Sequence, residues 1–125
     1  MLLTACDESG RPENLIVGLW ELVSDSTRIN GVVTVSYPYQ WGVMHETIEY
    51  LENNDYSRII EYEDTTMTYE GEWELDDTEL KMHDDDGNTH TFKLYINSRK
   101  MTHTSERVIG GETAVVTSRY TNLVD

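Results

Sequence analysis

The chain has 125 residues, the length of a single domain, and its composition excludes several classes of protein. Its 24 acidic residues against 9 basic ones give a formal net charge of −15, which excludes binding to the phosphate backbone of a nucleic acid as a plausible role. No stretch approaches the roughly 20 consecutive apolar residues of a membrane-spanning helix, and the single cysteine allows no internal disulfide.

The first seven residues hold a short apolar run that ends in small residues and the only cysteine. Leu3-Thr4-Ala5-Cys6 resembles the lipobox of a bacterial lipoprotein signal peptide at all four positions. The resemblance implies cleavage before Cys6, acylation of its thiol, and a polar tether that ends at residue 14. Only part of a usual apolar segment precedes the cysteine, so the alternative is an N-terminus with a chance cysteine. On the first interpretation the protein is lipid-anchored in the cell envelope, and the acidic residues after Cys6 resemble an export signal to the outer-membrane surface.

Residues 15–125 alternate with a period of two and show almost no helical periodicity. Segment 66–75 is the clearest case, because its apolar residues face one way and Thr or Glu faces the other, as in a strand with one side in water. Turn residues rich in Asn, Asp and Gly separate the remaining segments. They predict eight strands, at 16–24, 46–51, 56–63, 66–75, 79–83, 89–96, 100–108 and 113–121.

Short turns join all these strands except the first two, which predicts an antiparallel meander. We therefore expect an all-β fold, an eight-stranded antiparallel up-and-down barrel with a long first connection over residues 25–45. A two-sheet sandwich is the alternative, but it needs crossover connections that short hairpins do not provide. Segment 32–37 also alternates and would add a ninth strand.

The first predicted strand carries Gly18-Leu19-Trp20, which resembles the Gly-x-Trp signature of the lipocalins and the wider calycin group. The resemblance implies that Trp20 closes one end of the barrel and that an arginine of the last strand, here Arg119, packs across its ring. The long first connection resembles the lipocalin lid loop. The second lipocalin motif, around an acidic residue and a tyrosine in a middle loop, is not visible. The helix that usually follows the lipocalin barrel is not visible either. With the lipobox, the chain resembles the lipocalin-like lipoproteins of Bacteroidetes.

A barrel of eight strands holds either a filled core or one small ligand. Tyr69 and Trp73 flank Gly71 on the inward face, where the missing side chain predicts either a cavity or a bend in a packed core. His103 is a candidate polar anchor or a satisfied core histidine. The candidate ligand-contacting residues are Tyr50, Tyr62, Tyr69, Trp73, Phe92, His103 and Trp41.

Loop 37–44 concentrates three aromatic residues and a methionine. It is either a lid that forms part of the ligand wall or an exposed apolar patch that binds a partner. The run 84–88 lacks the ligand spacing of a calcium loop and predicts a solvated turn. We find no catalytic motif and predict no metal and no cofactor.

Together these patterns predict a monomeric, lipid-anchored barrel that reversibly binds a small apolar or amphipathic molecule and is not an enzyme. The alternative is a protein-interaction or inhibitor module of the cell envelope that acts through loop 37–44 and has a filled barrel.

The lipobox makes a direct prediction. In a gene that carries a complete signal peptide, Cys6→Ala removes the acylated thiol, so the protein moves from the membrane to the soluble fraction on fractionation. Membrane-bound protein of unchanged mass would contradict the lipoprotein interpretation.

Overall fold

A computed structural model describes residues 15–123, in which antiparallel strands and short turns account for nearly all of the chain. Cys6, the predicted tether and the last two residues lie outside the described part. No helix within 15–123 is long and apolar enough to span a membrane. A short 3₁₀ helix, Pro38–Trp41, lies between the second and third strands. The strands are β1 (Gly18–Ile29), β2 (Val32–Ser36), β3 (Val43–Tyr50), β4 (Asp55–Tyr62), β5 (Thr66–Asp76), β6 (Glu79–Asp84), β7 (Thr89–Ile96), β8 (Lys100–Ile109) and β9 (Glu112–Asn122).

Eight of these strands form a closed ring, which confirms the predicted barrel. Neighbours pair in the order β1, β3, β4, β5, β6, β7, β8 and β9, and the pairing of β9 with β1 closes the ring. Each pair is antiparallel, and from β3 onward the order in the ring follows the order in the chain. A sandwich of two separate sheets is therefore excluded.

The first connection differs from the prediction, because most of residues 25–45 is strand. β1 continues to Ile29, and β2 folds back on it to pair with its second half. The turn between them is Asn30-Gly31, and both residues have positive φ, at 53° and 79°. An Asn-Gly pair is a favoured two-residue hairpin turn because both residues tolerate that conformation. The alternative ninth strand at 32–37 is therefore present as β2, whereas the Asn-Gly turn signal before it was not recognised in the sequence.

One end of the barrel is closed by a buried apolar core. The fully buried side chains there include Trp20, Tyr50, Leu80 and Met101. The indole nitrogen of Trp20 donates a hydrogen bond to the backbone oxygen of Ile16 at 2.8 Å, so its polar atom is satisfied despite complete burial. Trp20 thus occupies the closed end, as the Gly-x-Trp resemblance implies.

Arg119 does not pack across Trp20, and that expectation is wrong. Arg119 is exposed on the outer face of the barrel and donates from Nη1 to the hydroxyl of Ser26 at 2.9 Å. Its neighbour Tyr120 points inward, and successive residues of a strand face opposite sides. The register of β9 therefore forces the guanidinium to the outside.

Of the two alternatives at Gly71, the structure agrees with the packed core and leaves no room for a side chain on this glycine. A Cβ atom at this position would overlap the backbone oxygen of His83 and would lie 2.8 Å from the ring of Tyr56. Tyr56 is the cross-strand partner of Gly71, and its ring fills the room that the glycine leaves. Gly71 marks a close approach of strands in a packed core rather than a cavity.

Trp20→Ala should lower the free energy of unfolding by about 3–5 kcal/mol, because truncating a fully buried aromatic leaves a large hole in the core. Trp41→Ala is the matched control: its side chain is 45% exposed, so the loss should be much smaller. Urea unfolding monitored by circular dichroism measures both. Equal and small losses would contradict the placement of Trp20 at the closed end.

Candidate functional site

The other end of the barrel is not filled. Inward-facing residues near this end, such as Met67, Tyr69 and Ile109, are more than one-third exposed, whereas those at the Trp20 end are buried. A cavity of about 470 Å³ lies among residues of all the ring strands. We call it the interior cavity. Its wall is a mixture of apolar, aromatic and ionisable side chains, and Ile48, Met82, Phe92 and Val116 supply aliphatic and aromatic surface.

A second space, which we call the side pocket, adjoins the interior cavity and has a volume of about 340 Å³. It lies beside β1 at the point where the neighbouring strand changes. β3 pairs with Gly18–Glu21 of β1, and β2 pairs with Asp25–Ile29 of the same strand. Leu22, Val43 and Ile60 form its apolar wall. The walls of both spaces include Asp25, Trp41, Arg58, Ser118 and Tyr120.

His103 lies in the wall of the interior cavity, with only 3% of its surface exposed. Its ring contacts Tyr120 and Phe92, at centroid distances of 4.7 and 5.2 Å. Its Nε2 lies 3.3 Å from the hydroxyl of Tyr50. Burial lowers the pKa of His103 from its ordinary 6.5 to about 3, and the nearby charge of Arg58 contributes in the same direction. At neutral pH the imidazole is uncharged and can offer one donor and one acceptor.

Arg58 places a positive charge inside the barrel. Its Nε donates to Oε2 of Glu46 at 2.8 Å, and Glu46 is itself buried. The guanidinium carbon lies 5.7 Å from the centre of the Tyr69 ring, which is a cation–π distance. Burial acts to lower the pKa of Arg58, but the charge and hydrogen bond of Glu46 outweigh it, so the pKa is raised and the guanidinium stays charged.

Asp25 faces inward because of an irregularity in β1. The register between β1 and β9 shifts between Leu22 and Ser24, which is a β-bulge. A bulge inserts one residue and reverses which side chains of the following segment point inward. Asp25 then faces Ser118, whose hydroxyl donates to its Oδ1 at 2.5 Å. Burial raises the pKa of the neighbouring Tyr120 well above its ordinary value, and the Glu46 and Asp25 carboxylates add to the effect.

The structure brings most of the predicted ligand-contacting residues together. Tyr69, Phe92, His103 and Trp41 line the interior cavity, and Tyr62 lines the side pocket.

Tyr50 and Trp73 line neither space. They pack edge to face, at a centroid distance of 5.7 Å, in the buried core beneath the cavity. The indole nitrogen of Trp73 donates to the backbone oxygen of Leu51 at 3.1 Å. Their role is to support the cavity floor rather than to form its surface.

Sequence reasoning missed the polar wall residues Asp25, Glu46 and Arg58. For Arg58 a signal was present, since it shares the inward side of β4 with Ile60 and Tyr62, where a charged residue is unusual. For Asp25 there was none, because its inward orientation depends on the bulge.

The described residues contain no group of three or more His, Cys, Asp or Glu side chains arranged to hold a metal ion. The 84–88 segment is a turn in which the Asp84 carboxylate accepts backbone hydrogen bonds from Asp86 and Asn88. The other carboxylate oxygen of Asp84, Oδ2, lies 3.3 Å from Nε2 of His90. The backbone hydrogen bond from Asn88 is the main reason that the pKa of Asp84 is lowered.

The buried His103 predicts a specific pH dependence of stability. The unfolded chain takes up a proton at this residue as the pH falls below 6.5, whereas the folded chain does not until about pH 3. Stability is therefore lost as the pH falls between these values. Between pH 7 and pH 5 this residue should contribute about 2 kcal/mol of the loss.

His103→Gln should remove that part of the pH dependence, measured as the difference in unfolding free energy between pH 7 and pH 5. His90→Gln, which removes an exposed histidine, should retain most of it. An identical pH dependence in His103→Gln and the wild type would show that His103 is accessible to protons in the folded state.

No protein-family model matches the sequence, and neither does any curated protein. Solved structures match its fold. A lipocalin-like protein from Bacteroides uniformis superposes with a TM-score of 0.60 and 13% identity over 87% of this chain and 99% of that chain. An uncharacterised protein from Bacteroides eggerthii gives 0.60 and 12% over 86% and 98%. A bovine odorant-binding protein gives a lower TM-score, 0.48, at 11% identity. The chain therefore has the fold of the lipocalin-like proteins, a closed eight-stranded barrel with one filled and one open end.

Proposed function

We propose that this protein reversibly binds a small amphipathic molecule in the interior cavity. The observation that carries the proposal is the cavity itself, about 470 Å³ at the open end of a barrel whose other end is packed. This volume lies within the range of about 300–1,000 Å³ that is typical of small-molecule sites. The lipocalin-like fold suggests ligand binding in general and supports the same conclusion.

The wall of the cavity supports an amphipathic ligand rather than a purely apolar one. Ile48, Met82, Phe92 and Val116 offer surface whose burial contributes roughly 25 cal/mol per Å². Arg58, His103 and Tyr120 add hydrogen-bonding groups on the same wall. Affinity would come from apolar burial, and these few polar groups would fix the orientation of the ligand.

A binding role also suits the state of the inward ionisable groups. Glu46 is hydrogen-bonded to Arg58, Asp25 accepts from Ser118, and His103 is held uncharged by burial. The two carboxylates are engaged by neighbouring side chains and the imidazole is held uncharged, which does not favour proton transfer to a substrate. We therefore propose a binding protein and not an enzyme.

We further propose that the barrel is held in the cell envelope by lipid on Cys6. The support is the four-residue match to a lipobox at positions 3–6. A tether between Cys6 and the first strand would leave the barrel free to meet ligands near the membrane surface.

A protein-interaction role through loop 37–44 is the second candidate. Tyr37 and Tyr39 stack at a centroid distance of 5.8 Å, and Tyr39 is 73% exposed. Trp41 and Met44 of the same loop are 45% and 61% exposed, so the loop presents an apolar patch. Trp41 belongs both to this patch and to the cavity wall, so it would contact the bound molecule in either role.

Filling the cavity tests the ligand-binding proposal. A neutral apolar dye such as N-phenyl-1-naphthylamine should bind the wild type at one saturable site, measured by fluorescence titration. Val116→Phe adds a ring to the cavity wall and should weaken binding at least tenfold. Its stability should change little, since the ring enters empty space instead of a packed core, where overpacking costs about 1–3 kcal/mol.

Val115→Phe is the matched control, because it places the same ring on the outer face of the same strand. It should bind the dye as the wild type does. Dye binding that is lost on mutation of Tyr39 and Met44 but not on Val116→Phe would place the dye on the exposed patch and favour the protein-interaction role. No binding by the wild type would contradict a ligand cavity.

A further inference from the structure

The wall of the side pocket carries more negative than positive charge, since Asp25 and Glu46 line it with Arg58. Glu46 and Arg58 form a hydrogen-bonded ion pair at 2.8 Å, so their charges largely cancel. Asp25 has a different kind of partner, the uncharged hydroxyl of Ser118. Hydrogen bonding to a neutral group stabilises a carboxylate but leaves its charge uncompensated. The side pocket therefore has a formal charge of −1.

Aromatic side chains line the same pocket as this carboxylate. Trp41, Tyr62 and Tyr120 line the side pocket together with Asp25. The face of an aromatic ring attracts a cation, and the attraction grows when water is excluded. A carboxylate beside several aromatic rings is therefore a suitable environment for an ammonium group.

The barrel already holds one cation by the same combination of groups. The guanidinium of Arg58 bonds to the Glu46 carboxylate and lies over the ring of Tyr69. The side pocket offers the same kinds of groups, a carboxylate and aromatic rings, but no lysine or arginine of the described residues forms an ion pair with Asp25.

An anionic ligand is the competing possibility, because Arg58 and Arg107 both line the interior cavity. The charge of Arg58 is compensated by Glu46, and Arg107 is exposed to solvent, where its attraction is screened. An anion near Arg58 would also lie near Glu46 and Asp25. The formal charge of −15 on the chain adds a field that attracts cations and repels anions.

We propose that the ligand is an organic amine, whose ammonium group binds at Asp25 in the side pocket and whose apolar part lies in the interior cavity. This inference rests on the proposed ligand-binding function and specifies its ligand class. Trp41 and Tyr120, which border both spaces, would contact the ligand where its polar and apolar parts meet.

Three compounds with the same eight-carbon chain separate the possibilities: octylamine, octanol and octanoate. Each is titrated at pH 7 against the wild type loaded with N-phenyl-1-naphthylamine, and its displacement of the dye gives a dissociation constant. Octylamine should bind about tenfold more tightly than octanol, the gain expected of one hydrogen bond to a charged group. Octanoate should bind most weakly.

Asp25→Asn should remove the preference for octylamine over octanol and leave the affinity for octanol nearly unchanged. The amide can still accept from Ser118, so we expect the fold to persist. Glu49→Gln is the matched control, since it removes one carboxylate from an exposed position on β3 and should keep the preference. Trp41→Leu, which keeps an apolar side chain but removes the aromatic face, should reduce the preference in part. It provides a second test if Asp25→Asn does not fold.

The outcomes are distinguishable. Equal affinities for the three compounds, or tighter binding of octanoate, would overturn the amine proposal while the cavity remains a binding site. An amine preference that survives in Asp25→Asn would also overturn it. Failure of the dye to bind the wild type would instead contradict the proposed function itself.

Discussion

The pairing of β9 with β1 is the interaction on which the rest of the structure depends. Residues 115–122 of the last strand pair with residues 20–28 of the first, and this one ladder joins the two ends of the ring. Closure satisfies the backbone groups that an open sheet would expose at its edges. It also defines an interior, because alternating side chains acquire an inside and an outside only when the sheet closes.

The same ladder contains the irregularity that shapes the candidate site. The bulge after Leu22 turns Asp25 inward and marks the region where β1 changes neighbours from β3 to β2. The side pocket lies at this change of partner, and the charge that we assign to ligand recognition lies in its wall. One extra residue in β1, within the ladder that closes the barrel, thus brings the carboxylate of Asp25 into the cavity wall.

The sequence alone determined the architecture and much of the interior. Period-two alternation and turn residues identify the strands of the ring, because a strand with one face in water must alternate and because Asn, Asp and Gly adopt the turn conformations. The same alternation placed Tyr69, Phe92 and His103 inside the barrel. The Gly-x-Trp motif predicted that Trp20 lies at the closed end of the barrel, and the complete burial of Trp20 there agrees with that prediction.

Only the tertiary structure decided which interior positions border empty space. Tyr50 and Trp73 share the inward side with Tyr69, yet they are packed, since the distance of a residue from the closed end is set by strand tilt and register rather than by alternation. The volume beside Gly71 is filled by Tyr56 from the neighbouring strand β4, a contact that no local pattern encodes. Asp25 faces inward because of a bulge in a pairing between residues more than 90 positions apart, and Arg58 meets Glu46 only through the register of β3 and β4. Alternation assigns a side to each residue, whereas cavities and charge pairs arise from cross-strand register, which is a property of the closed sheet.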